Sequence, residues 1–366
     1  MLPVVLSGRK NLETMAWISV ILPGYWIGYI WKILPEKEME TRKMDELITV
    51  VVPAYNCAPW LPRCLDSLLA QTYPNLEIVV VNDGSTDDTK TVLDDYAARC
   101  SRVTAVHQKN AGEYAARLSG VAVAKGNWIG FVDADDETEP HMYAMLMNNA
   151  LKHNADISHC GYKVIYPDGR IEYQQNSGIL KVQDAYTGVR DLLEEKIVEM
   201  GLCSKLFRKE LFSGIHEWMD YSIVINGDMM MNYYLFSQAE KSVLEDVCPY
   251  HYLIRQGSAS RRKLNEYLIY DPIRVRRMIL DACGPELKDD ARRALARMCL
   301  VSYRLLAMET EPEYKEHRKR VREIISQLQP YCGILPKRNA VLVRLISNVP
   351  WVFDLLYPPF EKLFRR

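Results

Sequence analysis

From Leu47 the chain alternates between two hydrophobic patterns. The apolar run LITVVVP is followed, after Ala58, by Leu61, Leu65, Leu68 and Leu69 at helical spacing, and then by a second apolar run, LEIVVVND. Short apolar runs bounded by turn residues read as buried strands, and the i, i+3, i+4 recurrence between them reads as an amphipathic helix. The spacing predicts another helix from Thr86 to Cys100, capped by Ser85 or Thr86 with Asp87 and Asp88 in its first turn. A short strand, RVTAVH, a helix from about Gly112 to Ala124 and a fourth apolar run, NWIGFVD, complete the series. Such alternation implies an α/β domain with a mostly parallel sheet, helices on both faces and ligands at the carboxyl ends of the strands. Beyond Asp156 the pattern becomes mixed, and YKVIYPDGRIEY signals a hairpin centred on Pro167, Asp168 and Gly169. After Arg262 come helical patterns rich in Arg and Leu. In the closing segment Trp351, Phe353, Leu355, Leu356, Phe360 and Phe364 alternate with basic residues, as in an interfacial amphipathic helix broken at Pro358 and Pro359. A helix packed on the domain's own surface is the alternative.

Three segments follow: 1–46, an N-terminal extension; 47–260, the α/β domain; and 261–366, a basic helical C-terminal region. The extension contains MAWISVILPGYWIGYIW at 15–31, uncharged, near the lower length limit for a membrane span and interrupted by Pro23, Gly24 and Gly28. It reads as a short or re-entrant anchor, as an interfacial segment, or as the product of an early start codon, since Met44 immediately precedes the first strand. The net charge of -1 conceals a dipole: residues 47–260 carry 18 Lys/Arg against 28 Asp/Glu, and residues 261–366 carry 22 against 13. An acidic body argues against nucleic acid as a partner, whereas a basic C-terminal third suits an anionic membrane surface. Nine scattered cysteines without a CxxC pair, and no His pair at a zinc-ligand spacing, argue against a structural zinc site, and the cysteines read as reduced thiols. The expected location is the cytoplasm or the cytoplasmic face of the membrane.

Candidate chemistry sits where strands end. Asp83 closes VVVND, and Asp133, Asp135 and Asp136 close or follow IGFVD. In a parallel sheet these ends open into one crevice, and converging carboxylates repel unless a cation lies between them. Mg²⁺ or Mn²⁺ would suit, since both prefer oxygen ligands and share their shells with water and nucleotide phosphates. Acidic clusters at loop starts are also ordinary caps and turns, so this pattern alone leaves both readings open.

Five stretches in order carry a resemblance: VVPAYN at 51–56, VNDGSTDDT at 81–89, KNAGEYAARLSGVAVAKGNWIGFVDADD at 109–136, CSKLFRKELF at 203–212 and NGDMMMNYYLF at 226–236. Together they resemble the family 2 glycosyltransferases, inverting nucleotide-sugar transferases of GT-A (Rossmann-like) fold, over roughly residues 47–260. The resemblance implies that Pro53, Ala54 and Tyr55 border the nucleotide base and that Asp83 bonds the base or ribose; Asp83 capping the turn at Gly84 is a compatible alternative. It places Arg117 near the nucleotide, with Leu118 where the family usually has Asn. Asp133, Ala134 and Asp135 stand as the DxD motif, with Asp135 and Asp136 as contributors to metal and ribose binding. Asp228 matches the catalytic base, and Gly227 stands where a Glu is usual. Lys205 and Arg255 are candidates for diphosphate or acceptor contacts, and His251 reads as structural.

The function implied is metal-dependent transfer, with Mn²⁺ or Mg²⁺, of a sugar from a nucleotide-diphosphate donor, a UDP-sugar by the fit of Asp83 to a uracil N–H. The acceptor would be a glycan or lipid-linked glycan in cell-surface polysaccharide synthesis. A catalytically impaired relative that binds nucleotide sugars for regulation is the competing expectation, the missing Glu being its sign. A nucleotidyltransferase lacks support, because no Gly-rich basic phosphate loop is present.

Overall fold

The computed structural model describes residues 46–255 and 264–364 and, within 1–45, only backbone strands: Met15–Ile18 pairs antiparallel with Ile30–Ile33, and Ile21–Leu22 with Tyr25–Trp26. The membrane reading of 15–31 rests on side chains that lie outside the described residues. Met1–Glu46 and Leu47–Arg366 form separate compact units.

In the larger unit the expected alternation is realised as β1 (Ile48–Ala54), α1 (Leu61–Leu69), β2 (Leu76–Asp83), α2 (Thr89–Arg99), β3 (Val103–Gln108), α3 (Glu113–Val123) and β4 (Trp128–Phe131). Strands β4, β1, β2 and β3 lie side by side and parallel. Their residues alternate between faces, as a pleated strand requires. Val79 and Val81 meet Ala116 of α3 on one side, while Ile78 and Val80 enter the main core on the other. Helix α2 starts three residues later than its pattern predicts, because the side chains before it are used elsewhere. Asn56 N–H donates to Ser85 Oγ (3.0 Å), Ala58 N–H to Asp87 Oδ2 (3.1 Å) and Thr86 N–H to Asn56 Oδ1 (2.8 Å). These bonds tie the loop after β1 to the loop after β2 and shape one wall of the crevice.

The second half is mixed. It runs through β5 (Glu137–Thr138), α4 (Met142–His153), β6 (Ile157–Ile165), β7 (Ile171–Tyr173), β8 (Leu180–Asp184), α5 (Ala185–Glu194) and β9 (Lys205–Arg208). It continues with the short α6 (Ile215–Trp218), α7 (Gly227–Gln238) and the long β10 (Lys241–Leu253). The full path is β8-β10-β6-β9-β4-β1-β2-β3, with β7 beside β6 and β5 beside β10. Antiparallel β9 joins the two halves by pairing with both β4 and β6. The predicted hairpin is β6 with β7, turning at Gly169 with φ +84°.

The C-terminal region is helical: α8 (Glu266–Ala282), α9 (Lys288–Ala307), α10 (Glu313–Ser326), α11 (Lys337–Asn348) and α12 (Pro350–Phe364). The expected boundary at 260 marks the end of the sheet and not of the core. Ile269 and Ile273 of α8 belong to a second core among the C-terminal helices, while Val275 and Ile279 belong to the main one. Contrary to expectation, α12 runs unbroken through Pro358 and Pro359. Its anchoring offsets the two missing N–H donors: Phe353 is buried against Tyr303 (5.6 Å between ring centroids), stacks on Tyr357, and Tyr303 donates to Asp354 (3.1 Å). Among the described residues no helix is long and apolar enough to cross a membrane. All nine cysteines are unpaired.

Candidate active site

The carboxyl ends of β1, β2 and β4 open into a cavity of about 360 Å³. Pro53, Ala54, Tyr55, Asp83, Asp133, Ala134, Asp135 and Arg255, all named from sequence, line it, joined by Glu113 and Tyr252. A second cavity, of about 220 Å³, lies behind it and contains Asp228, Asp136, Glu199, Met200 and Tyr162. The two share Asp133 and Tyr252. Asp228 therefore faces the site through the rear cavity, one side chain removed from the front one.

Asp83 is buried, and most of its hydrogen-bonding capacity is committed within the protein. Its Oδ1 accepts from Gln108 Nε2 (2.7 Å) and Ala111 N–H (2.8 Å), and its Oδ2 from Gly112 N–H (2.9 Å). A carboxylate offers about four lone-pair sites, so room remains for roughly one further donor. Gly84 allows this arrangement: it has φ +71°, and a Cβ there would lie 2.6 Å from Asn110 N. The turn reading of Asp83 thus holds in the stronger form of a carboxylate that anchors the loop before α3.

That loop opens α3, whose Arg117 is the electrostatic centre of the site. Arg117 is fully buried, with Nη1 2.7 Å from Asp228 Oδ1 and Nη2 2.8 Å from Asp133 Oδ1 and 2.6 Å from Glu113 Oε1. Its Nε has no hydrogen-bond partner among the described residues. One cation spans the junction between the cavities and neutralises carboxylates from three elements. Removing a partner from such a buried group leaves uncompensated charge, which costs about 3–5 kcal/mol. Burial lifts the Asp228 carboxyl above the ordinary aspartate range; Arg117 opposes the shift and Asp133 adds to it.

Gly227 precedes Asp228 on α7, and its missing side chain has a steric reason. A Cβ there would sit 2.2 Å from the Tyr114 ring, whose hydroxyl accepts from Gly227 N–H at 2.8 Å. Tyr114 occupies the space that a side chain at 227 would need.

Two residues stand apart from the roles expected of them. Lys205 is fully buried and donates to the backbone carbonyls of Glu199 (2.7 Å) and Gly201, behind the rear cavity's wall, while burial pulls its pKa down to about 8. It braces that wall and lines neither cavity. Asp136 is also buried: its Oδ2 accepts from Tyr250 O–H (2.6 Å) and its Oδ1 from Leu253 N–H (2.9 Å), so it is occupied and faces the rear cavity. Burial, reinforced by Asp133 and Asp135, holds its pKa well above the usual carboxylate range. Asp136 therefore does not fit the role of metal ligand. Asp135 fits better: it lines the front cavity, and Arg255 Nε bonds its Oδ2 at 2.5 Å. The Arg255 guanidinium also lies 4.1 Å above the Trp60 ring. Among the described residues no group of three His, Cys, Asp or Glu could hold an ion, so a cation here would depend on phosphate and water ligands as well. His251 pairs with Glu139 (3.3 Å) away from the cavities, as expected. Glu113, Tyr114, Trp60 and Tyr252 were not singled out from sequence. Only the helical offset of Glu113, four residues before Arg117, was a signal available there.

A nucleotide-sized crevice at the ends of parallel strands, continued by a mixed half-sheet that carries a carboxylate-lined second cavity, defines the GT-A class. The solved S. aureus TarS 1–349 in complex with UDP-GlcNAc has the same fold, with a TM-score of 0.63 at 18% identity, covering 87% of this chain and 91% of that one. Residues 49–215 match the Glycosyl transferase family 2 model. It is 33% identical over 211 residues to the "Uncharacterized glycosyltransferase EpsJ" of Bacillus subtilis, covering 57% of this chain and 61% of that protein. It is 34% identical over 226 residues to "Glycosyltransferase GlyA" of Streptococcus pneumoniae, covering 60% of this chain and 32% of that one. A 135-residue stretch is 35% identical to an Escherichia coli chondroitin synthase, covering 37% of this chain and 20% of that one. The chain thus spans less than two thirds of the length of these curated relatives.

Proposed function

We propose that the protein is an inverting glycosyltransferase that moves a sugar from a UDP-sugar to a glycan or lipid-linked glycan acceptor in polysaccharide synthesis. The observation that carries this reading is Arg117 at the junction of two cavities, one suited to a nucleotide and the other holding Asp228. Names of relatives agree with it: the TarS structure is a complex with UDP-GlcNAc, and chondroitin synthase is a polysaccharide enzyme by name.

In this reading the base rests between Pro53–Tyr55 and the Asp83 loop, and the diphosphate lies toward Asp135 and Arg255. The acceptor enters by the rear cavity. Its hydroxyl loses a proton to Asp228 as the oxygen bonds to the anomeric carbon, and the carbon–oxygen bond to the diphosphate breaks on the opposite face. An aspartate with an elevated pKa is the better proton acceptor, and Arg117 keeps it ionised and oriented. Arg255 offsets the charge that builds on the departing diphosphate. Mg²⁺ or Mn²⁺, held by Asp135 with phosphate and water oxygens, would add Lewis-acid stabilisation there. The exposed Trp351, Leu355 and Leu356 of α12, in a region with excess Lys and Arg, support a membrane surface as partner.

The test is release of UDP from a panel of UDP-sugars with and without Mn²⁺, in the parent and in Asp228→Asn. Turnover lost in the variant while UDP binding persists would support the proposal. Binding without turnover in the parent, across the panel with acceptors supplied, would refute it.

A further inference from the structure

The basic helical region beyond 260 lies outside the matched family model, yet its first helix grips the segment that presents Asp228. Asp271 of α8 is buried, and its Oδ2 accepts from the backbone N–H of Val224 (2.8 Å) and Ile225 (3.1 Å). Arg274, one turn on, reaches Asp220 Oδ2 and Ser222 Oγ, both at 2.8 Å. Arg276, fully buried, donates to Asn226 Oδ1, to Glu195 and to Met200 Sδ (3.1 Å). The segment from Asp220 to Asn226 is therefore held along its length by one helix.

What is held matters more than how firmly. Asn226 has φ +73° and immediately precedes α7, whose second residue is Asp228. Asn226 makes no capping bond to α7, since its side-chain oxygen is turned to Arg276. Met200, gripped by the same guanidinium, is a wall of the cavity that contains Asp228. Glu195, at φ +54° at the end of α5, is bonded by Arg276 and, at 3.0 Å, by Arg297 of α9. Helix α8 can do this because it is shared between the two cores, which fixes its position relative to the sheet.

We infer that α8 is part of the catalytic apparatus, with Asp271 and Arg276 as positioning residues that set both the Asp228 carboxylate and the facing wall of the rear cavity. The inference rests on the reading of Asp228 as the base. None of these residues lines the front cavity, so donor binding and catalysis should separate.

The experiment uses the full chain with Asp271→Ala and, because a buried aspartate is risky to remove, Asn226→Gly, which keeps the positive φ and deletes only the contact to Arg276. Three readouts are taken: amide exchange of peptides covering 220–230, UDP affinity by calorimetry, and UDP-sugar turnover against pH. The expected result is exchange at least tenfold faster, UDP affinity within threefold of the parent, kcat lower by at least tenfold with donor KM within threefold, and a displaced acid limb. Unchanged exchange in both variants, or faster exchange with kcat within twofold, would overturn it. If the parent itself turns nothing over, the transferase reading fails, and exchange together with UDP affinity still decides whether α8 governs this segment.

Discussion

Replacing Gly227 by Ala is the most direct test of why the residue before Asp228, the proposed base, has no side chain. The new Cβ would meet three Tyr114 atoms at 2.2, 2.3 and 2.7 Å. The ring is not free to swing away, because its hydroxyl holds the Gly227 N–H at 2.8 Å and it stands 5.7 Å from the Arg117 guanidinium. Relief must come from moving α7 or expelling the ring. Overpacking of this kind costs about 1–3 kcal/mol, and losing the hydrogen bond adds about 1 kcal/mol. For a chain of this size that is a fall in melting temperature of roughly 3–5 °C. Turnover should fall further than stability, since a misplacement of about 1 Å at the base can cost on the order of 100-fold. The assay is a double-mutant cycle, in melting temperature and UDP-sugar turnover, over Gly227→Ala, Tyr114→Ala and the pair. Tyr114→Ala opens the space, so the double variant should be more stable than the sum of the singles by about 1–2 kcal/mol. Additive effects, or a Gly227→Ala protein as stable and active as the parent, would refute the steric account.

Arg117→Met should destabilise the fold by about 3–5 kcal/mol in chemical denaturation, because three carboxylates lose their common cation; a loss under 1 kcal/mol would sink the central role of that residue. Asp136→Asn should change the pH dependence of stability. The raised pKa of Asp136 in the folded protein means that its contribution is present below the ordinary aspartate range and is lost as pH rises through the raised value, by about 1.4 kcal/mol per pH unit in that window. The variant, lacking this ionisation, should gain on the parent as melting is followed from pH 4 to pH 8, and parallel curves would contradict it. Asp228→Asn should lower turnover by about 100- to 10,000-fold, as for loss of a general base, and should also lower the melting temperature, because it takes one of three carboxylate partners from the buried Arg117. Trp351, Leu355 and Leu356 are 66%, 65% and 60% exposed. Replacing all three by Asp should abolish co-sedimentation with phosphatidylglycerol vesicles, and a parent protein that fails to sediment with them would end the membrane proposal.

Patterns confined to a few residues were readable along the chain. Runs of Val and Ile ending in acidic residues announced β2 and β4 with Asp83 and Asp133 at their carboxyl ends, since a strand buried on both faces has little choice of composition. The alternation of strands and helices was enough for the α/β class, since parallel strand ends converge by topology alone, and the family resemblance added to it was enough for eight of the fourteen residues that line the front cavity. Other features depend on residues far apart in sequence and had no local signature. Asp136 and Asp135 are neighbours in the chain, yet one is sealed against Tyr250 and the other faces the crevice, a difference made by where β10 passes. Lys205 reads in the sequence as a candidate for diphosphate or acceptor contacts, whereas its ammonium lies between two backbone carbonyls. The vacancy at Gly227 is intelligible only beside Tyr114, 113 residues earlier, and the hold of α8 on the segment before Asp228 spans about 50 more. Periodicity reports which face of an element is buried, but it carries no information about which distant side chain will fill the space opposite.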